Sequence, residues 1–252
     1  MEQSQIYGQM DFNLPHDVVS LPSKGIFYKP KKESVKVGYL TALDENMLMS
    51  PNVFKDGLAY NLLKSKIYEP GFDVSQLLAV DVQAILIFLR NTSFGNDYNL
   101  KLTDPKTNTS FDLVYNLEEI DFIESKHQPN SDGYFTYQTT TTNNNIKVRL
   151  LNLGDQKELE KLNEQYPKGM IAPIVTKKLE KQIVEIDGNK DKGDIGKFIN
   201  TLPIKESKLL QKFIIECEPS INLKKSVYAP SGEKVDFELA FGVEFFRPFF
   251  GI

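Results

Sequence analysis

Side chains that commonly carry chemistry are scarce in this sequence, which has one cysteine, Cys217, and two histidines, His16 and His127. A single thiol forbids an internal disulfide, and no C-x-x-C, H-E-x-x-H or other Cys/His cluster is present to bind zinc. Cys217 lies on the apolar face of a predicted helix, which favours a packed core thiol over a nucleophile. The sequence therefore predicts no metal site, no cofactor site and no catalytic residue.

One polar segment, residues 187–198, imitates two ligand-binding motifs. It begins with alternating Asp, Asn and Asp, as a calcium loop does, but Lys192 and Phe198 stand where that loop requires Gly and Glu. Two of its glycines have the spacing of a P-loop, yet Asp194 occupies the place of the phosphate-binding lysine. We therefore expect a solvated connector at this position.

Two further patterns could serve an enzyme. Ser231 and Lys234 match the S-x-x-K motif, but that motif needs its serine at the start of a helix, whereas the flanking Pro and Gly predict a turn. An acidic run at residues 118–124 lies in a polar linker and is predicted to be a solvated face. An enzyme that uses His127 with nearby carboxylates stays an alternative, because catalytic partners can be distant in sequence.

The overall composition is that of a globular protein, with 252 residues of which 40% are hydrophobic and 25% are charged. The net charge of −4 gives no basic excess of the kind that a phosphate-binding surface requires. No stretch reaches the roughly 18 apolar residues that a membrane-spanning helix needs. We therefore expect neither a nucleic-acid partner nor a membrane span.

Alternation and capping patterns predict the elements of the first half of the chain. Thr41 and Asp44 have the spacing of a capping box, which begins a helix after a short alternating strand. The turn-forming run 104–108 separates two strands of a predicted hairpin. The predicted elements are a strand at Val35–Tyr39, a helix to Met49, a long helix at Val74–Arg90, and hairpin strands at Tyr98–Leu102 and Ser110–Tyr115.

The second half repeats the order of strand and capped helix. Asp155 aligns with Asp44 at a constant offset of 111 residues (155 − 44), and the strands before them align without gaps. Asp155 and Glu158 have capping-box spacing for the second helix. The predicted elements are strands at Tyr134–Thr139 and Ile146–Leu151, helices at Gln156–Gln165, Ile174–Ile186 and after Pro203, and C-terminal strands at Asn222–Tyr228 and Lys234–Phe246.

These elements predict an α+β fold made of two small lobes, in which β-hairpins feed helices, and a C-terminal β-hairpin. We expect an N-terminal arm at residues 1–19, a first lobe at 20–130 and a second lobe at 131–252. The aligned strand–helix units are consistent with an internal duplication, although the pattern is a common one.

The chain ends in an unusually aromatic segment that contains Phe246, Phe249 and Phe250. Exposed aromatic side chains at a chain end are unfavourable unless they pack against the protein itself or against a partner. Two explanations therefore stay open: the segment folds back onto the core, or it docks into another subunit.

Three features together resemble the baseplate hub and hub-assembly proteins of T-even-type contractile-tailed phages. They are the run Leu21-Pro22-Ser23-x-Gly25-x-x-Tyr28, the run Leu40-Thr41-x-x-Asp44-Glu45-x-x-Leu48-x-Ser50-Pro51, and the long helix at Val74–Arg90. The end of the C-terminal hairpin, Phe245-Phe246-Arg247-Pro248, is similar to the same proteins and to tail-assembly chaperones.

The resemblance implies a non-enzymatic structural or assembly protein of a contractile tail baseplate hub. Its partners would be other hub subunits and the tape-measure protein. It would be located in the virion tail baseplate and, during assembly, in the host cytoplasm. The alternative is a tail-assembly chaperone for the tape-measure protein that is absent from the mature particle. We expect partner contacts through buried aromatic anchors, Phe246, Phe249 and Phe250. A second set, Leu21, Pro22, Gly25 and Tyr28, is expected to form a rigid element that either contacts a partner or serves the fold.

Overall fold

The computed structural model describes residues 15–49, 58–167, 172–239 and 243–246. Its helices are α1 (Ala42–Met49), α2 (Leu58–Lys66), α3 (Ala79–Phe94), α4 (Leu153–Gln165), α5 (Ile174–Gln182), α6 (Lys192–Thr201) and α7 (Ile204–Cys217). Short 3-10 turns cover Val74–Gln76, Leu117–Glu119 and Val243–Phe246.

The strands form small antiparallel sheets. They are β1 (His16–Ser20), β2 (Ser34–Gly38), β3 (Asp97–Thr103), β4 (Ser110–Asn116), β5 (Phe122–Ile123), β6 (Phe135–Gln138), β7 (Asn145–Val148), β8 (Ile183–Ile186), β9 (Ser220–Ile221), β10 (Lys224–Tyr228) and β11 (Lys234–Glu238). The pairs are β1–β2, β3–β4, β5–β9 and β10–β11, and β6–β7–β8 form a three-stranded sheet. This architecture confirms the predicted α+β fold.

Most of the buried apolar side chains of both predicted lobes belong to one hydrophobic cluster. Ile85 and Leu89 of α3 lie in it together with Ile146 of β7 and Leu210 of α7, and all four are fully buried. The cluster therefore crosses the predicted boundary at residue 130, and the division into lobes stays a prediction. Within the predicted arm, β1 pairs with β2, while residues 1–14 lie outside the described part of the chain.

The predicted continuous helix at Val74–Arg90 is wrong at its start. A 3-10 turn at Val74–Gln76 is followed by extended backbone at Leu77 and Leu78, and α3 begins only at Ala79. The carbonyl of Leu77 accepts a bond from the Leu153 N–H (2.8 Å). Because these backbone groups bond to distant parts of the chain, they are not available to continue a helix.

The four residues Ile183–Ile186 form β8 and not the end of a helix, which corrects the prediction of one helix over Ile174–Ile186. The sequence Ile-Val-Glu-Ile has high β-propensity, and β8 pairs with β7 so that Ile186 lies opposite Ile146. Ile183 is fully buried in this position. Burial on the three-stranded sheet therefore outweighs the continuation of the helix.

The last predicted strand is also too long. β11 ends at Glu238, residues 240–242 lie outside the described part, and Val243–Phe246 form a 3-10 turn. Within that turn Phe245 is buried and its ring lies 5.7 Å from the ring of Tyr98. The side chain of Phe245 therefore packs against the β3–β4 hairpin, and the predicted strand does not continue to Phe246.

Both predicted capped helices form, with one correction in the capping residues. In α4 the cap is Asn152, which accepts from the Asp155 N–H (2.9 Å) and donates its own N–H to the Asp155 carboxylate (3.2 Å). Asp155 is thus the third helical residue and not the cap. The predicted capping box of Asp155 with Glu158 is therefore wrong. Asp44 occupies the same place in α1, where it accepts from the Thr41 N–H (2.7 Å). The aligned acids therefore have the same local role, and the duplication itself stays a prediction.

Candidate functional site

The segment from Leu21 to Tyr28 is a folded loop held by its own backbone. The Leu21 N–H donates to the Glu33 carbonyl (2.8 Å), and the Tyr28 N–H donates to the Gly25 carbonyl (3.2 Å). Gly25 has a φ of +63°, and a Cβ at this position would lie 2.0 Å from the carbonyl oxygen of Lys32. A side chain cannot be placed there without moving backbone, so Gly25 is required by the loop.

A buried carboxylate fastens this loop to α3. Asp81 is fully buried and accepts from the Ser23 N–H (2.9 Å) and from the Tyr28 hydroxyl. The same hydroxyl accepts from the Leu78 N–H (3.0 Å). Ser23, Tyr28 and Leu78 are themselves buried, so each of these polar groups depends on the others for its hydrogen bonds.

Burial dominates the electrostatics of the network. It raises the pKa of the Asp81 carboxyl, while the hydrogen bonds from Ser23 and Tyr28 oppose that shift. Burial and the neighbouring Asp81 carboxylate also raise the pKa of the Tyr28 phenol well above its ordinary value. The phenol therefore stays protonated, and its hydroxyl donates a hydrogen bond to the carboxylate. The sequence signal was a single acid in a long apolar run, but its partners were not predicted.

Most of the residues that are expected to contact partners are buried or half-buried in the described part of the chain. Leu21, Gly25 and Tyr28 are buried and Pro22 is half-buried. Phe246 is buried, with its ring 5.1 Å from that of Phe245. In the isolated chain these residues stabilise the fold, and their contact with partners stays a prediction. Phe249 and Phe250 lie outside the described residues.

The histidines do not share one site. The ring of His16 packs edge-on against Tyr68 at 6.1 Å. His127 lies 3.5 Å from the Glu216 carboxylate and 4.6 Å from the ring of Phe213, with 38% of its side chain exposed. Hydrogen bonds from Lys126 and His127 hold the pKa of Glu216 below its ordinary value. Such a carboxylate is a poor general acid or base near neutral pH.

The other chemical candidates have structural roles. Cys217 is fully buried, and burial raises the pKa of its thiol to about 12, which confirms the packed-thiol interpretation. Ser231 lies in the predicted turn, and its hydroxyl donates a hydrogen bond to the Asp104 carboxylate (2.7 Å). This bond holds the turn against the β3–β4 hairpin. The acidic run at 118–124 is exposed around Glu124, as predicted.

The segment 187–198 is a connector only as far as Asp191, because helix α6 begins at Lys192, which corrects the expectation for its second half. Asp187 accepts from the Asn145 N–H (2.8 Å), and Asp191 caps α6 by accepting from the Asp194 N–H (2.9 Å). Across the described residues, no group of three or more His, Cys, Asp or Glu side chains could hold a metal ion. In the same part of the chain, no helix has the length and apolar character to cross a membrane.

Several large apolar side chains remain exposed on the surface. Tyr228 is 78% exposed and Ile204 is 77% exposed, values that a core side chain never has. Exposed apolar side chains matter where they cluster, because clusters mark contact surfaces. Sequence periodicity did not identify them. The set is Val18, Leu43, Val114, Phe122, Ile123, Val175, Ile204, Ile215 and Tyr228.

Comparison with known proteins gives one match. A family model described as T4 bacteriophage base plate protein matches residues 34–247, a range that runs from β2 to just beyond the 3-10 turn at Val243–Phe246. No curated protein and no solved structure matches the chain. The matched range includes the middle of the chain, between the long helix and the C-terminal hairpin, where no residues carry the resemblance described above.

Proposed function

We propose, from the premise that this chain belongs to the family of T4 bacteriophage base plate proteins, that it is a structural subunit of the central hub of a contractile tail baseplate. As a phage baseplate protein it has its place in the virion tail, among other baseplate proteins. The proposal adds the hub and the mode of action, which is shape-complementary contact between proteins and not turnover of a substrate.

The family match over residues 34–247 is the observation that carries the proposal. The described side chains add support of a second kind. Asp81 holds the Leu21–Tyr28 loop, and Asp104 accepts both the N–H (3.1 Å) and the hydroxyl (2.7 Å) of Ser231. Carboxylates that join separate loops by several hydrogen bonds suit a rigid structural subunit, because they hold its surface loops in one position.

An assembly factor for the tape-measure protein is the second candidate function. It rests on the similarity of the segment around Phe245 and Phe246 to tail-assembly chaperones. Such a factor would act in the host cytoplasm and leave before the particle is complete. The two candidates therefore differ in where the protein is found at the end of infection.

Fractionation of an infected culture separates these candidates. Finished particles are purified by density and washed at high salt, and the protein is detected by immunoblot in the particle and soluble fractions. A hub subunit stays with the particles, in proportion to a major tail protein used as the marker. Detection in the soluble fraction alone would refute the hub subunit and favour the assembly factor.

The proposed aromatic anchors have their own test. Deletion of residues 247–252 removes Phe249 and Phe250 but leaves Phe246 in place. If these side chains are anchors, the truncated protein keeps its melting temperature and loses its place in the particle. Full incorporation of the truncated protein would exclude an anchoring role, and a lowered melting temperature would instead assign the segment to the chain's own fold.

A further inference from the structure

Helix α7 has one face that builds the core. Glu206, Leu210, Ile214 and Cys217 follow each other at helical spacing and are all buried. Glu206 is the polar member, and it accepts from the N–H (2.8 Å) and the hydroxyl of Thr140 at the tip of the β6–β7 hairpin. The orientation of α7 on the body of the protein is therefore fixed.

The opposite face carries a second set with the same spacing, two residues earlier. Two residues correspond to about 200° around a helix, so this set points away from the core. Ile204 is 77% exposed and Ile215 is 62% exposed, and they lie about 16 Å apart along the axis. Between them the surface is basic. The face, called the α7 stripe, consists of these four positions, Ile204, Lys208, Lys212 and Ile215, and of the neighbouring exposed Lys205.

The lysines of the α7 stripe are exposed, and across the described residues none of the three forms an ion pair. The charges of Lys205 and Lys212 do act on two acids of the same helix, since they contribute to lowering the pKa of Glu206 and of Glu216. Both acids are bonded to other groups: Glu206 to Thr140, and Glu216 to Lys126 (3.3 Å) and His127. The result is a local positive surface on a chain whose net charge is −4.

Two further exposed apolar side chains lie on a segment that is bonded to the C-terminal end of α7. The Lys126 N–H donates to the Glu216 carbonyl (2.9 Å), and β5 pairs with β9, the strand that follows α7. These bonds hold the short segment with Phe122 and Ile123 beside the last turn of the helix. Both side chains are about half exposed, so this end of the helix carries apolar surface besides Ile215.

We infer that the α7 stripe docks onto a surface of another baseplate subunit that is acidic and has an apolar recess at each end. This inference rests on the proposed function. Carboxylates of the partner would pair with Lys205, Lys208 and Lys212, and burial of Ile204 and Ile215 would add the apolar contribution. A protein partner fits better than a nucleic acid, because isoleucines at both ends have no role at a phosphate backbone and the stripe has no aromatic residue for base stacking.

Charge reversal tests the inference in complemented infections, in which the plasmid copy is the only source of the protein. The variant carries Lys205→Glu, Lys208→Glu and Lys212→Glu. The matched control carries Lys101→Glu, Lys106→Glu and Lys161→Glu, three exposed lysines elsewhere with the same change in charge. We expect at least a tenfold loss of the α7 variant from purified particles and a change below twofold for the control.

The outcomes separate the inference from the proposed function. If the wild-type protein is absent from particles, the proposed function fails. If the wild type is present and the α7 variant is incorporated equally well, the docking inference alone is overturned. Melting temperatures are compared first, and should the glutamate variant unfold, the same lysines changed to glutamine replace it, with an expected loss of at least threefold.

A photo-crosslinking amino acid at Lys208 identifies the occupant during infection. We expect crosslinked peptides from another baseplate subunit, with Asp and Glu in excess around the attachment site. Crosslinks to a second copy of this chain, to nucleic acid, or to a baseplate surface without acidic residues would each overturn the inference. The same amino acid at Lys101 provides the background level.

Discussion

Removal of one hydroxyl, in Tyr28→Phe, tests how the Leu21–Tyr28 loop is fastened. The hydroxyl donates to Asp81 and accepts from the Leu78 N–H (3.0 Å), and both of those groups are buried. Each group left without a partner in the core costs about 1–3 kcal/mol. Because Asp81 keeps its bond from the Ser23 N–H (2.9 Å), we expect a total loss of about 3 kcal/mol, in the lower half of the combined range of about 2–6 kcal/mol.

Urea unfolding followed by circular dichroism measures this loss. The midpoint should fall while the slope of the transition stays constant, because the change affects contacts and not the size of the folded unit. In a chain of this length the melting temperature should fall by about 6–12 °C. The matched control is Tyr228→Phe, since the side chain of Tyr228 is 78% exposed and its hydroxyl has no buried partner. That variant should unfold like the wild type.

A double-mutant cycle then locates the effect. Asp81→Asn and Tyr28→Phe are measured singly and together, and a direct bond predicts a coupling free energy of at least about 1 kcal/mol. A loss below about 1 kcal/mol for Tyr28→Phe, or independent effects in the cycle, would refute the network as the fastening of the loop. In that case packing of the ring against Phe72, at 5.9 Å, would account for the position of Tyr28.

Three further predictions concern other described residues. Gly25→Ala should destabilise the fold by at least about 2 kcal/mol more than Gly71→Ala, because both positions have positive φ but only Gly25 faces a backbone carbonyl; urea unfolding of the pair checks this. Burial acts to raise the pKa of Asp155, but hydrogen bonds from Arg149 and from a backbone N–H outweigh it, so that the pKa of this carboxyl lies below its ordinary value. Its stabilising contribution is therefore present above that ordinary value and lost as the pH falls, so the advantage of wild type over Asp155→Asn in melting temperature should shrink below about pH 4. The thiol of Cys217, with its pKa raised to about 12, should react with a thiol reagent roughly a thousandfold more slowly in the folded protein than after unfolding, and equal rates would contradict its burial.

Local patterns were sufficient for the elements whose bonds are local. The β3–β4 hairpin and α7 formed where alternation and helical periodicity indicated them. The acid of each capped helix was also identified, since Asp44 and Asp155 bond to backbone three residues away. In these cases the stabilising partner lies within a few residues, so it is visible in the sequence.

Long-range bonds explain what the sequence did not predict. Leu78 gives its N–H to Tyr28, 50 residues earlier, and this interrupts a helix that periodicity alone would continue. Ile183 lies in a strand because β7 is available beside it, a fact that its own neighbours in sequence do not contain. In the sequence Asp81 only interrupts an apolar stretch, since its role depends on a loop far away in the chain.

The expected contact residues show a related ambiguity. Leu21, Gly25 and Tyr28 stand in a distinctive run, but a distinctive run can fix a loop as readily as it can contact a partner. Their burial assigns them a folding role within the chain. The exposed stripe on α7 was not predicted, because its lysines and isoleucines fit an ordinary helix surface until the opposite face is known to be buried.

A permanent structural subunit of the baseplate has a fixed copy number. Mass spectrometry with isotope-labelled standard peptides counts the copies of this protein in purified tails. We expect a small whole number of copies per tail that stays the same between preparations and after a high-salt wash. A value that falls toward zero with purification would contradict it.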